Sequence, residues 1–366
     1  MRLPRECLLL PPPPGTVSST TSLLYATLSV HRFSPGHFAL GPLAHGVVRK
    51  IEAATARHLA ARGVQRISLP ILQPKALWER SNRLWDHEAA RGAGGQGVVG
   101  PEFFEVPSDD AILAPTAEEA VTALVAAAGP RPTLSRSLRL TQTSTKFRRE
   151  ARPAGGLVRG REFIMSDTYT FDTSPDAAKE TYDEIMSALC QVLDDVEVPW
   201  RREEADGGEI GGDFTEELVV TTPTGDLEVA HSFLLGHKYS EPFGAVFGES
   251  PGTPLFMGCY GLGITRLFAV LADLHRTDTG FTWPRGFAPL DAVVILAPTH
   301  PTTEMLHEAN ELATSLDDAH DPAARTVIVD DRPLKLPRKL EEATALGYPN
   351  VVVVGKRGVE WIKKEE

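Results

Sequence analysis

Residues 146–171, KFRREARPAGGLVRGREFIMSDTYTF, pack nine charged side chains into twenty-six positions around a Pro-Ala-Gly-Gly loop and close on aromatics. Side chains along a strand alternate faces. In the outgoing strand Lys146, Arg148 and Glu150 share one face, and Phe147 and Arg149 take the other. In the return strand Arg161, Phe163, Met165 and Asp167 lie together, opposite Glu162, Ile164 and Ser166. Arg159 stands where the return strand begins, and the loop glycines are free to take positive φ. Arginines fixed on a sheet suit two-pronged contact with phosphate or carboxylate, and a neighbouring Glu suits an amine. The alternative is a solvated hairpin laced by cross-strand ion pairs.

The surrounding chain bounds the answer. Its 366 residues suffice for two domains, with 42% hydrophobic and 23% charged residues, as in ordinary globular proteins. No apolar run approaches the roughly 20 residues of a membrane-spanning helix. The formal charge of -12 gives no global nucleic-acid signature, although a local basic field is still possible within it. Cys7, Cys190 and Cys259 form no CxxC pair, so neither a disulfide framework nor a zinc site is indicated. Residues 1–51 hold a single acid, Glu6, beside several arginines and a Ser/Thr-rich run, which is the composition of an organelle transit peptide and equally of a plain leader over residues 1–21.

Along the chain, GPLAHGVVRKIEAATARHLAARGV predicts one amphipathic helix with Gly63 at its C-cap, and QRISLPIL a short strand ending at Pro70. PTAEEAVTALVAAAG predicts a helix with acids in its first turn. Ser174 and Pro175 open a helix running to Val196. TEELVVTTPTGDLEVAHSFLL predicts two strands joined by a Thr-Gly-Asp turn, and LFMGCYGLGITRLFAVLADLHR a buried strand, a glycine turn and a helix. Beyond residue 287, AVVILAP, ARTVIVDD and NVVVVGK alternate with helices at 303–316 and 334–346, a β-α-β-α-β module with strands buried on both faces.

Two more constellations carry chemistry. In GLGITR, Arg266 replaces the third glycine of a dinucleotide fingerprint and no acid follows at ribose-binding distance, which argues against a nicotinamide oxidoreductase. Arg266 instead adds a fixed charge to the field of a helix N-terminus beside Gly263. In PTAEEA, Thr116 and Glu118 stand at a helix start, where a carboxylate can pair with a substrate ammonium or simply cap the helix.

In this order the segments resemble class II aminoacyl-tRNA synthetases, and within them the prolyl-tRNA synthetases. PTAEEA is similar to the family's amino-acid site, KFRREARP…GLVRGREFIMSDTYTF to its motif 2, and HSFLLGHKYSEPF with MGCYGLGITRL to its motif 3 region. GPLAHGVVRKIE…LPILQPKALWERSNR resembles the motif 1 region, where such enzymes form homodimers. The resemblance implies an α+β fold: a class II synthetase catalytic domain, an antiparallel sheet flanked by helices, at 22–287. It further implies a small α/β anticodon-binding-like domain at 288–366, shorter than usual by about a strand and a helix. Only 86 residues lie between Phe171 and Gly258, so no large editing insertion is present, as in mitochondrial relatives.

The resemblance also assigns roles. ATP would be held by Arg148, Glu150, Arg159, Phe163, Gly263 and Arg266, with Arg148 and Arg266 catalytic. Proline would be held by Thr116, Glu118, Arg148, Glu162 and Phe163. Mg²⁺ would ride on the phosphates without a dedicated protein cage, and tRNA(Pro) would be the acceptor, with no membrane involved and a mitochondrial setting implied. Three departures from the family pattern stand out: the loop RPAGG lacks an arginine and an aromatic, Glu216 replaces a His of the proline-pocket region, and the chain ends at GVEWIKKEE. They define the second reading, a catalytically inactive synthetase-like module that binds or regulates.

Overall fold

The computed structural model describes residues 30–84, 103–129, 137–208, 210–248, 251–278, 280–317 and 326–363; the leader expected at 1–21 lies outside them. The chain divides into two compact units, one of residues 35–37 and 52–267, the other of residues up to 34, 38–51 and from 268 onward.

The first helix, α1 (Pro42–Ala60), ends as its sequence demands. Gly63 takes φ 72, its N–H donates to the Ala60 carbonyl at 2.9 Å, and Val64 N–H donates to Leu59 at 3.2 Å. The helices that follow are α2 (Lys75–Arg80), α3 (Glu118–Ala127), α4 (Pro175–Asp195) and α5 (Ile264–Leu274).

The larger unit is built on seven strands: β1 (Gln65–Arg66), β2 (Leu138–Phe147), β3 (Glu162–Asp172), β4 (Trp200–Glu204), β5 (Phe214–Thr222), β6 (Gly225–Gly236) and β7 (Phe256–Gly263). Their spatial order is β1-β2-β3-β7-β6-β5-β4, antiparallel throughout except for β1 with β2. β1 is shorter than the sequence predicts. Only Gln65 and Arg66 pair with β2, and Pro70, which has no N–H for a ladder, closes the run. The β5–β6 turn lies at Pro223–Thr224, ahead of the Thr-Gly-Asp expected, with Thr222 opposite Gly225 at φ 126. No glycine turn separates β7 from α5: the strand continues through Gly261 to Gly263 and the helix begins at Ile264.

The register of β2 with β3 sets Lys146 opposite Phe163 and Gln142 opposite Asp167. One face of the sheet packs on α4, which buries Tyr182, Ile185, Met186, Leu189, Val192 and Leu193. Each such burial contributes about 1.5–3 kcal/mol. On the opposite face α3 sets Ala117, Ala120, Val121 and Val125 against Tyr169, Phe171, Phe233, Met257 and Cys259 in one apolar cluster. That cluster covers one end of the face and leaves the other open.

The smaller unit contains β8 (Ala292–Leu296), α6 (Thr303–Leu316), β9 (Val327–Asp330), α7 (Leu336–Ala345), β10 (Asn350–Gly355) and β11 (Gly358–Lys363), with strand order β9-β8-β10-β11. The first three are parallel, as the alternating pattern predicts; β11, which the pattern does not predict, pairs antiparallel with β10. Every residue of β11 is exposed, so its sequence carries no burial alternation to read. Buried Lys339 of α7 donates to the carbonyls of Leu296 (2.8 Å) and Asp330 (3.2 Å), tying two strand ends together. Among the described residues no helix is long and apolar enough to cross a membrane.

Ser174 caps α4 by accepting the Ala177 N–H at 3.2 Å. Ser174→Ala is expected to lower unfolding free energy in urea by about 1 kcal/mol, and Ser174→Asp to retain it.

Candidate active site

The open end of the sheet face is a cavity of about 530 Å³, in the range of small-molecule sites. Strand alternation supplies its floor: Phe163, Met165 and Asp167 from β3, Cys259, Gly261 and Gly263 from β7, His231 and Phe233 from β6. In β7, Gly261 lies opposite Asp167 and Gly263 opposite Met165, so that strand adds no bulk there.

The hairpin loop walls one side. After Phe147 the chain leaves the ladder with Arg148 N–H donating to the Arg161 carbonyl at 2.9 Å. The loop closes through an Ala154–Arg159 bridge, with Gly155 and Gly156 at φ 62 and 63 as predicted. Glu150 accepts from Arg159 Nε at 2.6 Å and from the Arg152 amide at 3.0 Å, while Arg161 Nε donates to its backbone carbonyl. Burial opposes ionisation of Glu150, but the Arg152 amide and the Arg159 guanidinium outweigh it and hold the carboxyl below its ordinary range. Arg266, from the first turn of α5, donates to the carbonyls of Val158 (2.9 Å) and Glu228 (2.8 Å), so it pins the loop to β6 while lining the cavity. Arg148 lies over the Phe163 ring at 5.2 Å, and its Nε is 3.4 Å from the Pro115 carbonyl, next to Thr116.

The start of α3 walls the other side. Thr116 Oγ1 donates to Glu118 Oε2 at 2.7 Å, and Cys259 Sγ to Glu118 Oε1 at 3.1 Å. Tyr169 OH accepts the Ala117 N–H at 3.0 Å and donates to Asp167 at 2.9 Å. Asp167 in turn meets Lys146 Nζ at 2.8 Å, with both side chains 1% exposed. Burial pushes the Asp167 carboxyl up and the Cys259 thiol well up, which makes Cys259 a neutral donor rather than a nucleophile. Burial also works against Glu118, but Arg83, Thr116 and Cys259 hold it below the carboxylate range.

Of the residues singled out from sequence, Thr116, Glu118, Arg148, Glu150, Arg159, Phe163, Gly263 and Arg266 all line this one cavity. Glu162 does not: it is exposed, and alternation along β3 turns it away from the face of Phe163. Glu216 is also elsewhere. It pairs with Ser232 on the α4 face, accepts from Tyr182 OH at 3.0 Å and from Arg202 Nε at 3.1 Å, and so does not enter the pocket its sequence position suggested. Sequence reading missed Arg83, Ser81 and Glu119, which stand behind Glu118; a buried polar trio without periodicity leaves no sequence signal. It also missed that β5 and β6 bring Glu217, Glu228 and His231 together, with ligand atoms within 4.8 Å of one another. The two carboxylates suit a hard cation, whereas the imidazole, stacked on Phe233 at 4.1 Å, suits it less.

Residues 104–275 match the class II tRNA synthetase core domain of the G, H, P, S and T enzymes, and residues 291–363 match an anticodon-binding domain. These matches define a class II synthetase core followed by an anticodon-binding domain. The chain is 34% identical over 374 residues to a probable mitochondrial proline–tRNA ligase of Mus musculus, spanning 89% of this chain and 76% of that protein. It is 32% identical to the one of Homo sapiens over 90% and 76%. At that identity and coverage, the chain belongs to the proline–tRNA ligase family. In fold it is similar to a Giardia lamblia prolyl-tRNA synthetase in complex with prolyl-adenylate, with TM-score 0.75 and 21% identity over 92% of this chain and 69% of that one.

The Lys146–Asp167 pair predicts a specific pattern. Lys146→Met leaves a buried carboxylate unpaired and should cost about 3–5 kcal/mol in denaturant unfolding. The double variant Lys146→Met/Asp167→Leu should recover most of that loss.

Proposed function

We propose that this chain activates proline with ATP and transfers it to tRNA(Pro). The observation that carries the reading is the position of Arg148. It borders Thr116 and Glu118 through Pro115 and lies close enough to Glu150 to stabilise its charge, within one cavity. Thr116 and Glu118 take the prolyl ammonium, and Phe163 packs beside it. Arg148 neutralises both the amino-acid carboxylate and the α-phosphate. Glu150 accepts the adenine amine, while Arg159, Arg266 and the backbone at Gly263 hold the outer phosphates.

The proline carboxylate oxygen attacks the α-phosphorus, forming the acyl-phosphate bond as the α–β bridge breaks and pyrophosphate leaves. A ribose hydroxyl of the terminal tRNA adenosine then attacks the carbonyl carbon, the acyl–phosphate bond breaks, AMP departs and the hydroxyl proton passes to solvent. Neither step needs a side-chain nucleophile; alignment and charge neutralisation supply the rate. Mg²⁺, when bound, would supply charge neutralisation to the phosphates, and Glu228, which lines the cavity, would hold it.

Residues 22–287 serve as the catalytic domain and 288–366 as the anticodon reader, a division supported by the two family matches. The working form is a homodimer through the motif 1 region. The setting is mitochondrial, which is supported by relatives bearing that designation in mouse, rat, human and fission yeast.

ATP–pyrophosphate exchange across a panel of amino acids tests the reading. Exchange should depend on proline and fall at least 100-fold in Arg148→Ala. Silence with every amino acid from a folded, ATP-binding chain would overturn it. Because Glu216 faces α4, Glu216→His should leave the KM for proline within about twofold of the wild type.

A further inference from the structure

At the wall that carries Glu118, three buried ionisable groups meet with one positive charge too few. Arg83 is 7% exposed, and Glu118 and Glu119 are both 0% exposed. Arg83 Nη1 stands 3.2 Å from Glu118 Oε2 and 3.1 and 3.3 Å from the two oxygens of Glu119. The guanidinium is packed over Trp78, with Tyr239 at its far side. One cation shared by two buried carboxylates leaves a net negative charge in a low-dielectric setting, which is unfavourable unless a proton or a further cation enters.

The two carboxylates are not equivalent. Glu118 faces the cavity and also accepts from Thr116 and Cys259. Glu119 does not line the cavity; among the described residues its carboxyl meets, beyond Arg83, Ser81 Oγ at 2.7 Å and its own backbone N–H in the first turn of α3. Burial pushes the Glu119 carboxyl up, while Glu118 is held down. The other groups around Glu119 do not make up the charge. Tyr239 ahead of the 240–243 helix is kept neutral by burial and donates to the Ile210 carbonyl. Cys259 of β7 is neutral, and Lys146 of β2 is committed to Asp167. Along α2, Lys75 pairs with Glu105, Arg80 donates to the Pro242 carbonyl, and Glu79 is exposed; Glu241 is exposed too.

We propose that a substrate ammonium arriving at Glu118 expels the proton held on Glu119, so that the amino-acid site takes its cationic substrate in exchange for one proton. The Glu119 O–H bond breaks, its proton passes to solvent, and its electron pair stays on the carboxylate, which Arg83 and Ser81 then hold. The amine keeps its own proton. The inference rests on Thr116 and Glu118 being the ammonium site.

The sign follows from the exchange. Where Glu119 is protonated in the free site, binding releases a proton and affinity rises with pH, by up to about tenfold per unit. Above that range affinity is flat. Calorimetric titration of the intact chain with proline, in pairs of buffers with different ionisation enthalpies and across the pH range where the fold holds, counts the protons. Up to one should be released, and Glu119→Gln, which fixes the neutral state, should bind proline with buffer-independent heat and pH-independent affinity. Proline binding by the wild type with buffer-independent heat at every pH would overturn the exchange and leave the functional reading standing. Absence of proline binding would overturn both.

Discussion

The Lys146–Asp167 pair fixes the register on which the site depends. Its two charged groups are 2.8 Å apart at the cavity floor, each 1% exposed. A slip of one residue between β2 and β3 would send Lys146 to the α4 face and carry Arg148 and Glu150 with it, because the side-chain period of a strand is two. Breaking such a pair strands a buried charge, so the correct register is favoured over its neighbours by more than apolar packing alone. Gln142 and Tyr169 donate to the same carboxylate, and Tyr169 passes the constraint on to the start of α3 at Ala117.

From that anchor the two ends of the cavity are placed by different elements. β3 and its loop carry the arginines and Glu150, and α3 carries Thr116 and Glu118. They meet because α3 packs over Tyr169 and Phe171 on the same face. Arg266 closes the arrangement by holding the Val158 carbonyl, so the loop that would grip phosphate is braced by a residue that would also touch it. Such bracing lets a site work through positioning without a covalent catalyst.

Much of this was legible in the sequence where periodicity or a cap carries the signal. α4 runs from its Ser-Pro start, α1 ends at Gly63, and eight site residues converge because strand alternation and a helix start are local rules. The misreadings share a cause. The resemblance put Glu162 and Glu216 at the proline pocket, whereas strand alternation already sets Glu162 opposite Phe163 and the β5 register turns Glu216 to α4. Arg83 and Glu119 were invisible because a buried ion cluster is assembled by tertiary contact between the segment after α2 and the first turn of α3. β11 was missed because a strand exposed on both faces has no alternation.

The proposed function requires one cavity to hold proline and adenylate joined through Arg148. Equilibrium binding of a non-hydrolysable prolyl-adenylate analogue to the intact chain tests it most directly. Binding should be saturable, far tighter than that of proline or AMP alone, and weakened by Glu118→Gln at one end and by Arg159→Ala at the other. Binding no tighter than AMP, or equally tight for an alanyl analogue, would contradict it.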